Sequence, residues 1–69
     1  MTGVDVMAIN NNLGTMFLRR GRPADAVDRY LAALRLSPGQ PEVTCNLANA
    51  LLHQGKPDEA EALYRGVLA

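Results

Sequence analysis

The chain has 69 residues, which is room for one small core and no second domain, because domains rarely fall below about 50 residues. Seven basic and seven acidic side chains cancel, and this balance argues against binding to nucleic acid or to an anionic membrane surface. The hydrophobic share of 48% comes mainly from Ala and Leu, which favours helices over strands.

Two helices joined by a tight turn are predicted for the first half of the chain. Asp5 is expected to cap the first helix, and Gly21 is expected to end it. Pro23 suits the first turn of a second helix, because the N–H that proline lacks would have no partner there. That helix is predicted to end at Ser37, since a residue that precedes a proline is pushed out of helical geometry.

The second half of the chain shows the same pattern. Pro41 opens a third helix, whose apolar residues recur at helical spacing until Gly55. Pro57 opens a fourth helix with Asp58 and Glu59 in its first turn, where acidic side chains stabilise the helix dipole. No segment alternates polar and apolar residues over a useful length, so no strand is predicted.

The two halves also share residues at a fixed offset of 34. Over the 29 positions of residues 7–35 compared with residues 41–69, eight are identical, whereas unrelated stretches share roughly two. The identical pairs are Asn12/Asn46, Leu13/Leu47, Leu18/Leu52, Gly21/Gly55, Pro23/Pro57, Ala26/Ala60, Tyr30/Tyr64 and Leu34/Leu68. A repeat of this length indicates units that bury their apolar faces against one another. We therefore predict an all-α chain of two tandem helix-turn-helix hairpins.

These residues resemble the tetratricopeptide repeat, whose 34-residue unit has the pattern Trp-x2-Leu-Gly-x2-Tyr, Ala-x3-Phe, Pro. The matching residues are Leu13-Gly14, Phe17, Ala26, Tyr30 and Pro38 in the first unit, and Leu47-Ala48, Leu51, Ala60 and Tyr64 in the second. Asn10 and Thr44 depart from the pattern, because they stand where it often has Trp. The resemblance implies one domain, with repeat one at about 7–40 and repeat two at about 41–69, that forms a fragment of a right-handed α-solenoid.

The resemblance also implies that the first helix of each repeat lines a concave groove. On a helical wheel, one polar stripe on each of these helices consists of Asn12, Thr15 and Arg19 in repeat one, and of Asn46, Asn49 and His53 in repeat two. Asparagine amides both donate and accept hydrogen bonds, so the recurring asparagines suggest binding to the backbone of an extended peptide, as in some family members. The alternative for the asparagines is that they only cover a solvated helix face. The alternative for Arg19 and His53 is that cationic or polar side chains near a helix C-terminus stabilise the helix dipole without binding a ligand.

We predict a protein-interaction module that binds a protein or peptide partner in this groove. The alternative is a structural segment of a longer array, such as the superhelix of a glycosyltransferase or an assembly factor, with no ligand of its own. A clamp for a terminal carboxylate is not expected. Clamps of that type in the family carry a lysine one turn before the groove asparagine, where this chain has Ala8 and Glu42.

No enzyme activity, cofactor or metal site is predicted. Cys45 and His53 are eight residues apart on one helix, about 12 Å along its axis, which is too far for a nucleophile and its base. A single Cys forms no intrachain disulfide, and one His without a second soft ligand predicts no metal. The sequence shows neither a signal-peptide pattern nor an apolar run of about 20 residues, so a cytoplasmic location and no membrane contact are expected.

Self-association is expected at the fourth helix. In the architecture that the resemblance implies, the second helix of each unit also packs against the first helix of the next unit, and the sequence ends at Ala69. Leu63, Val67 and Leu68 would therefore leave part of an apolar face in water. We expect a homo-oligomer that covers this face.

Overall fold

A computed structural model describes residues 2–68, which form four α-helices. The helices are α1 (Gly3–Arg19), α2 (Pro23–Leu36), α3 (Pro41–His53) and α4 (Pro57–Leu68). Residues 2–68 contain no strand. The prediction of an all-α chain built from two helical hairpins is confirmed.

Proline and glycine set the ends of the helices as predicted. Pro23, Pro41 and Pro57 are each the first residue of their helix, where the missing N–H breaks no helical hydrogen bond. Gly21 and Gly55 follow α1 and α3 with φ angles of 74° and 76°, a left-handed conformation that glycine adopts without a steric penalty. A glycine that ends one helix and a proline that begins the next therefore allow a short turn within each hairpin.

The start of α1 differs from the prediction. Thr2 is the N-cap, and its hydroxyl accepts the backbone N–H of Asp5 at 3.2 Å. The Asp5 carboxylate accepts the backbone N–H of Thr2 at 3.1 Å. Together they form a capping box, in which Asp5 is the third helical residue. The prediction of Asp5 as the cap is wrong, because the Thr2 hydroxyl caps the helix three residues earlier.

The four helices pack in chain order, α1 against α2, α2 against α3 and α3 against α4, and α1 also touches α3. The buried apolar residues form one cluster that consists of Ala26, Tyr30, Ala33, Val43, Leu47, Ala48, Ala50, Leu51 and Ala60. Most of them are alanines, which let helix backbones approach one another closely. The second helix of repeat one thus contacts the first helix of repeat two, as in a stacked repeat array.

Tyr30 has the largest of the fully buried side chains, and its ring lies against Gly14. A Cβ atom on Gly14 would lie only 2.6 Å from Cε1 of that ring. The Tyr30 hydroxyl lies 2.8 Å from Thr15 Oγ1, so two consecutive residues of α1 hold both the ring and its polar end. In repeat two, Ala48 replaces Gly14, and Tyr64 is half-buried.

Candidate interaction surface

A hydrogen bond between two asparagine side chains joins α1 to α3. Asn46 Nδ2 donates to Asn11 Oδ1 over 3.1 Å, and both residues are half-buried. The bond joins Asn46, a member of the α3 stripe, to the residue that precedes Asn12 of the α1 stripe. We call the combined surface the polar strip, and its members are Asn12, Thr15 and Arg19 of α1, and Asn46, Asn49 and His53 of α3.

The six members of the polar strip differ in exposure. Asn12, Arg19, Asn49 and His53 are exposed, whereas Thr15 and Asn46 are half-buried. The Thr15 hydroxyl donates to the backbone carbonyl of Asn11 at 3.2 Å, and its contact with Tyr30 ties α1 to α2. Thr15 therefore stabilises the hairpin, and the four exposed side chains are the ones available to a ligand. Ligand binding by the strip stays a prediction.

The sequence pattern did not point to Asn11. The offset of 34 pairs Asn12 with Asn46, whereas the observed hydrogen bond joins residues that are 35 apart. The run Asn10-Asn11-Asn12 was the available indication, because it places amides at three successive angles around α1. Asn10 accepts a hydrogen bond from Arg29 of α2 at 3.4 Å, Asn11 contacts α3, and Asn12 is exposed.

Charged and titratable residues lie on and beside the polar strip, at opposite ends of the two helices. Arg19 and His53 occupy equivalent repeat positions in the last turns of α1 and α3. Glu42 is exposed in the first turn of α3. His53 Nδ1 donates to the carbonyl oxygen of Asn49 at 2.9 Å, which leaves Nε2 for a ligand. A ligand along the strip would meet the Arg19 guanidinium and the His53 imidazole near one end and the Glu42 carboxylate near the other.

The residues predicted to self-associate lie on α4. Leu68 is 85% exposed. Leu63 and Val67 are half-buried, and they line a cleft of about 340 Å³ together with Thr44 of α3. Thr44 stands where the repeat pattern often has Trp, and its small side chain leaves this cleft open. The three α4 residues thus present a partly exposed apolar surface, and self-association stays a prediction.

The described residues also bear on metal sites, reactive thiols and membrane-spanning helices. Between residues 2 and 68, no group of three or more His, Cys, Asp or Glu side chains is placed to hold a metal ion. Cys45 is a free, half-buried thiol. None of the four helices is both long and apolar enough to cross a membrane, as far as residues 2–68 show.

The fold and the polar strip define a helical-hairpin repeat protein with a surface available to other molecules. The family model for the tetratricopeptide repeat matches residues 7–69, and the chain belongs to this family. The predicted resemblance is confirmed. Tetratricopeptide repeats generally mediate protein–protein interactions or serve as scaffolds, and they are typically not catalytic.

One relative is the cellulose synthase operon protein C of Pseudomonas fluorescens (strain SBW25), which is 47% identical to this chain over 51 residues. The aligned region covers 74% of this chain and 4% of that protein. The chain therefore corresponds to a small part of the relative's length. No solved structure matches this chain significantly.

Proposed function

We propose that the chain is a protein-interaction module that binds an extended segment of a partner polypeptide along the polar strip. One observation carries the proposal, the hydrogen bond from Asn46 to Asn11. This bond sets α1 beside α3, and the side chains of Asn12 on α1 and Asn49 on α3 are both exposed. Two exposed amides on neighbouring helices are suited to a ligand that has hydrogen-bonding groups along its length.

The peptide backbone is such a ligand. Each asparagine amide has two N–H donors and one acceptor oxygen, so it satisfies a peptide C=O, a peptide N–H or both. Asn12 and Arg19 are seven residues apart on α1, about 10 Å along its axis, a length that roughly three extended residues span. Binding through the backbone requires no particular ligand sequence, so the amides supply affinity rather than selectivity.

Selectivity comes from the charges at the ends of the strip. Arg19 and His53 favour an acidic ligand residue near the C-terminal ends of α1 and α3, and Glu42 disfavours one near the N-terminal end of α3. The preferred partner segment is therefore extended, with its acidic residues toward one end. Opposite charges at the two ends also favour one direction of binding over the other.

The double substitution Asn12→Ala with Asn49→Ala tests this proposal. Peptides selected from a random displayed library against the unmodified chain should lose roughly 1 to 3 kcal/mol of binding free energy, because each net hydrogen bond contributes about 0.5 to 1.5 kcal/mol. Isothermal titration calorimetry measures this loss. Both side chains are exposed, so the thermal midpoint should change little. Arg35→Ala is the control, because Arg35 is exposed on α2 and lies outside the strip.

The position of the bound peptide gives an independent check. In NMR titrations of the unmodified chain, shift changes of the backbone amides should concentrate on α1 and α3. Changes confined to α2 and α4, or an unchanged affinity of the double variant, would show that the peptide binds another face.

A second function, a structural segment of a longer array with no ligand of its own, is favoured by the extent of the match with the Pseudomonas fluorescens protein. That match covers 4% of the relative, so similar hairpins occur within a far longer polypeptide. In this role the polar strip is a solvated helix surface. The library would then yield no peptide whose binding depends on Asn12 and Asn49. Under either function we propose no catalytic role for the chain.

A further inference from the structure

A second cleft lies apart from the polar strip, between α2, α3 and the start of α4. Its volume is about 400 Å³, within the roughly 300 to 1,000 Å³ of typical ligand pockets. Leu31 of α2 borders the cleft and is 43% exposed, and the buried Leu47 and Leu51 of α3 also line it. The cleft therefore offers a ligand an apolar surface that is open to solvent on one side.

One polar atom of the residues that line the cleft lacks a hydrogen-bond partner. Gln54 lines the cleft, and its Oε1 atom is buried and accepts no hydrogen bond from any residue between 2 and 68. A buried acceptor without a donor is unfavourable. A ligand that brings an N–H group to this oxygen removes the penalty, whereas a purely apolar ligand leaves it in place.

The first repeat shows which group is complementary to the cleft. At the offset of 34, Phe17 corresponds to Leu51, and Arg22 corresponds to Lys56. The Arg22 guanidinium lies 5.2 Å from the centroid of the Phe17 ring, which is a cation–π contact. The second repeat keeps the cation, because Lys56 lines the cleft, but Leu51 occupies the aromatic position. An aromatic ring bound in the cleft would give Lys56 the aromatic partner that Arg22 has in repeat one.

We propose that this cleft binds a tryptophan side chain of a partner polypeptide. Indole combines a large apolar body with an N–H group that only donates, whereas phenylalanine has no donor. The ring lies over Leu47 and Leu51 with Lys56 near its face, and the Gln54 side chain turns so that its buried Oε1 accepts the indole N–H. The exposed acids Asp28 and Glu59 also line the cleft, and they favour a basic residue beside the tryptophan.

Two matched small molecules test the donor requirement. N-acetyl-tryptophanamide contains the indole, and N-acetyl-3-benzothienylalanine amide has a sulfur atom in place of the ring N–H. In NMR titrations both should shift the backbone amide signals of Leu31, Leu47 and Leu51. The indole should bind about three- to tenfold more tightly, which is the effect of one net hydrogen bond. The chain contains no Trp, so the fluorescence of the indole probe gives a second measure of binding.

Two substitutions separate the hydrogen bond from the shape of the cleft. Gln54→Leu removes the acceptor, so the two molecules should bind with equal affinity. Leu51→Phe introduces a ring at the position that Phe17 holds in repeat one, where it would fill part of the cleft, so both molecules should stop binding. Circular dichroism checks that each variant is folded. Peptides bound along the polar strip should keep their affinity for both variants, which distinguishes this site from the proposed groove.

Equal affinities of the two molecules for the unmodified chain would overturn the proposal. Shift changes that lie away from the cleft would do the same. An absence of binding at millimolar concentration would mean that Gln54 Oε1 stays buried and that the cleft receives no indole. If Gln54→Leu fails to fold, the affinity ratio on the unmodified chain and the loss of binding in Leu51→Phe decide the question.

Discussion

At Gly14, a missing side chain determines how closely α1 approaches α2. The Tyr30 ring fills the space that a Cβ atom would need, and the next residue, Thr15, bonds the Tyr30 hydroxyl. A larger residue at Gly14 would displace the Tyr30 ring and, with it, break the contact between the Tyr30 and Thr15 hydroxyls. Repeat two has Ala48 at this position, and its tyrosine, Tyr64, is less buried than Tyr30.

Gly14→Ala should destabilise the protein by roughly 1 to 3 kcal/mol, the usual effect of overpacking. The new Cβ would lie between 2.6 and 2.9 Å from three atoms of the Tyr30 ring, and Tyr30 is only 1% exposed, so the ring would have to move within the packed core. Urea denaturation followed by circular dichroism measures the loss as a lower midpoint.

Gly66→Ala is the matched control, and its effect should have the opposite sign. Gly66 is exposed in α4, and a Cβ atom there would meet nothing within 4 Å. Alanine is a better helix former than glycine, so a gain of up to about 1 kcal/mol is expected. Two shifts in the same direction would contradict the close packing of Gly14 against Tyr30.

The sequence indicated part of the polar strip. Repeat spacing identified Asn12 and Asn46 as equivalent residues, and the helical wheel placed each of them on the polar stripe of its own helix. The roles of Asn11 and Thr15 were not predictable in this way. Their partners lie on other helices, and which side chains meet there depends on how the helices cross rather than on the period of one helix.

At the scale of the helices, local chemistry predicted nearly all the boundaries. Proline fixes a backbone angle and glycine adopts positive φ wherever they occur, so Pro23, Pro57, Gly21 and Gly55 act without help from the rest of the fold. The clefts beside α3 were not predicted, because the space around a residue such as Leu51 depends on how far the neighbouring helices stand from it. Motifs that act locally are readable from sequence, and cavities are not.

Ala60→Leu tests the packing between α3 and α4. Ala60 is fully buried, so the larger side chain should overpack the second hairpin and destabilise it by roughly 1 to 3 kcal/mol. Ala62→Leu is the control, because Ala62 is exposed on the same helix, and its effect should stay within about 0.5 kcal/mol. Urea midpoints report both changes. Equal, small shifts would mean that Ala60 does not separate two closely packed helices.

At the scale of the whole molecule, the chain is thin and leaves much apolar surface in solvent. The Cα atoms extend over 35 × 31 × 13 Å. The large apolar side chains that are exposed are Val4, Ile9, Met16, Leu31, Leu36, Leu52 and Leu68. A small core limits stability, so further burial against a partner or a second copy stabilises the fold as well as the complex. The polar strip, the cleft beside Leu51 and the apolar face of α4 are separate surfaces available for this.

We propose that the chain forms a homo-oligomer through the apolar face of α4. Leu68 is largely exposed, and Leu63 and Val67 line an open cleft that a second copy would cover. At about 25 cal/mol per Å², covering a few hundred Å² contributes several kcal/mol before the costs of association. An interface of this size is small, so the assembly should be weak and should depend on concentration.

Light scattering after size exclusion at tens of micromolar should therefore give a mass above the 7.4 kDa of one chain. Leu63→Glu with Val67→Lys places charges on the face and should return the protein to a monomer, while circular dichroism shows whether the half-buried sites still allow folding. Leu36→Glu is the control, because Leu36 is 47% exposed at the end of α2 and does not line the α4 cleft, and this variant should stay oligomeric. A stable monomer of the unmodified chain at millimolar concentration would be the contrary result. It would mean that the exposed face of α4 gains too little from burial to offset the loss of translational and rotational freedom on association.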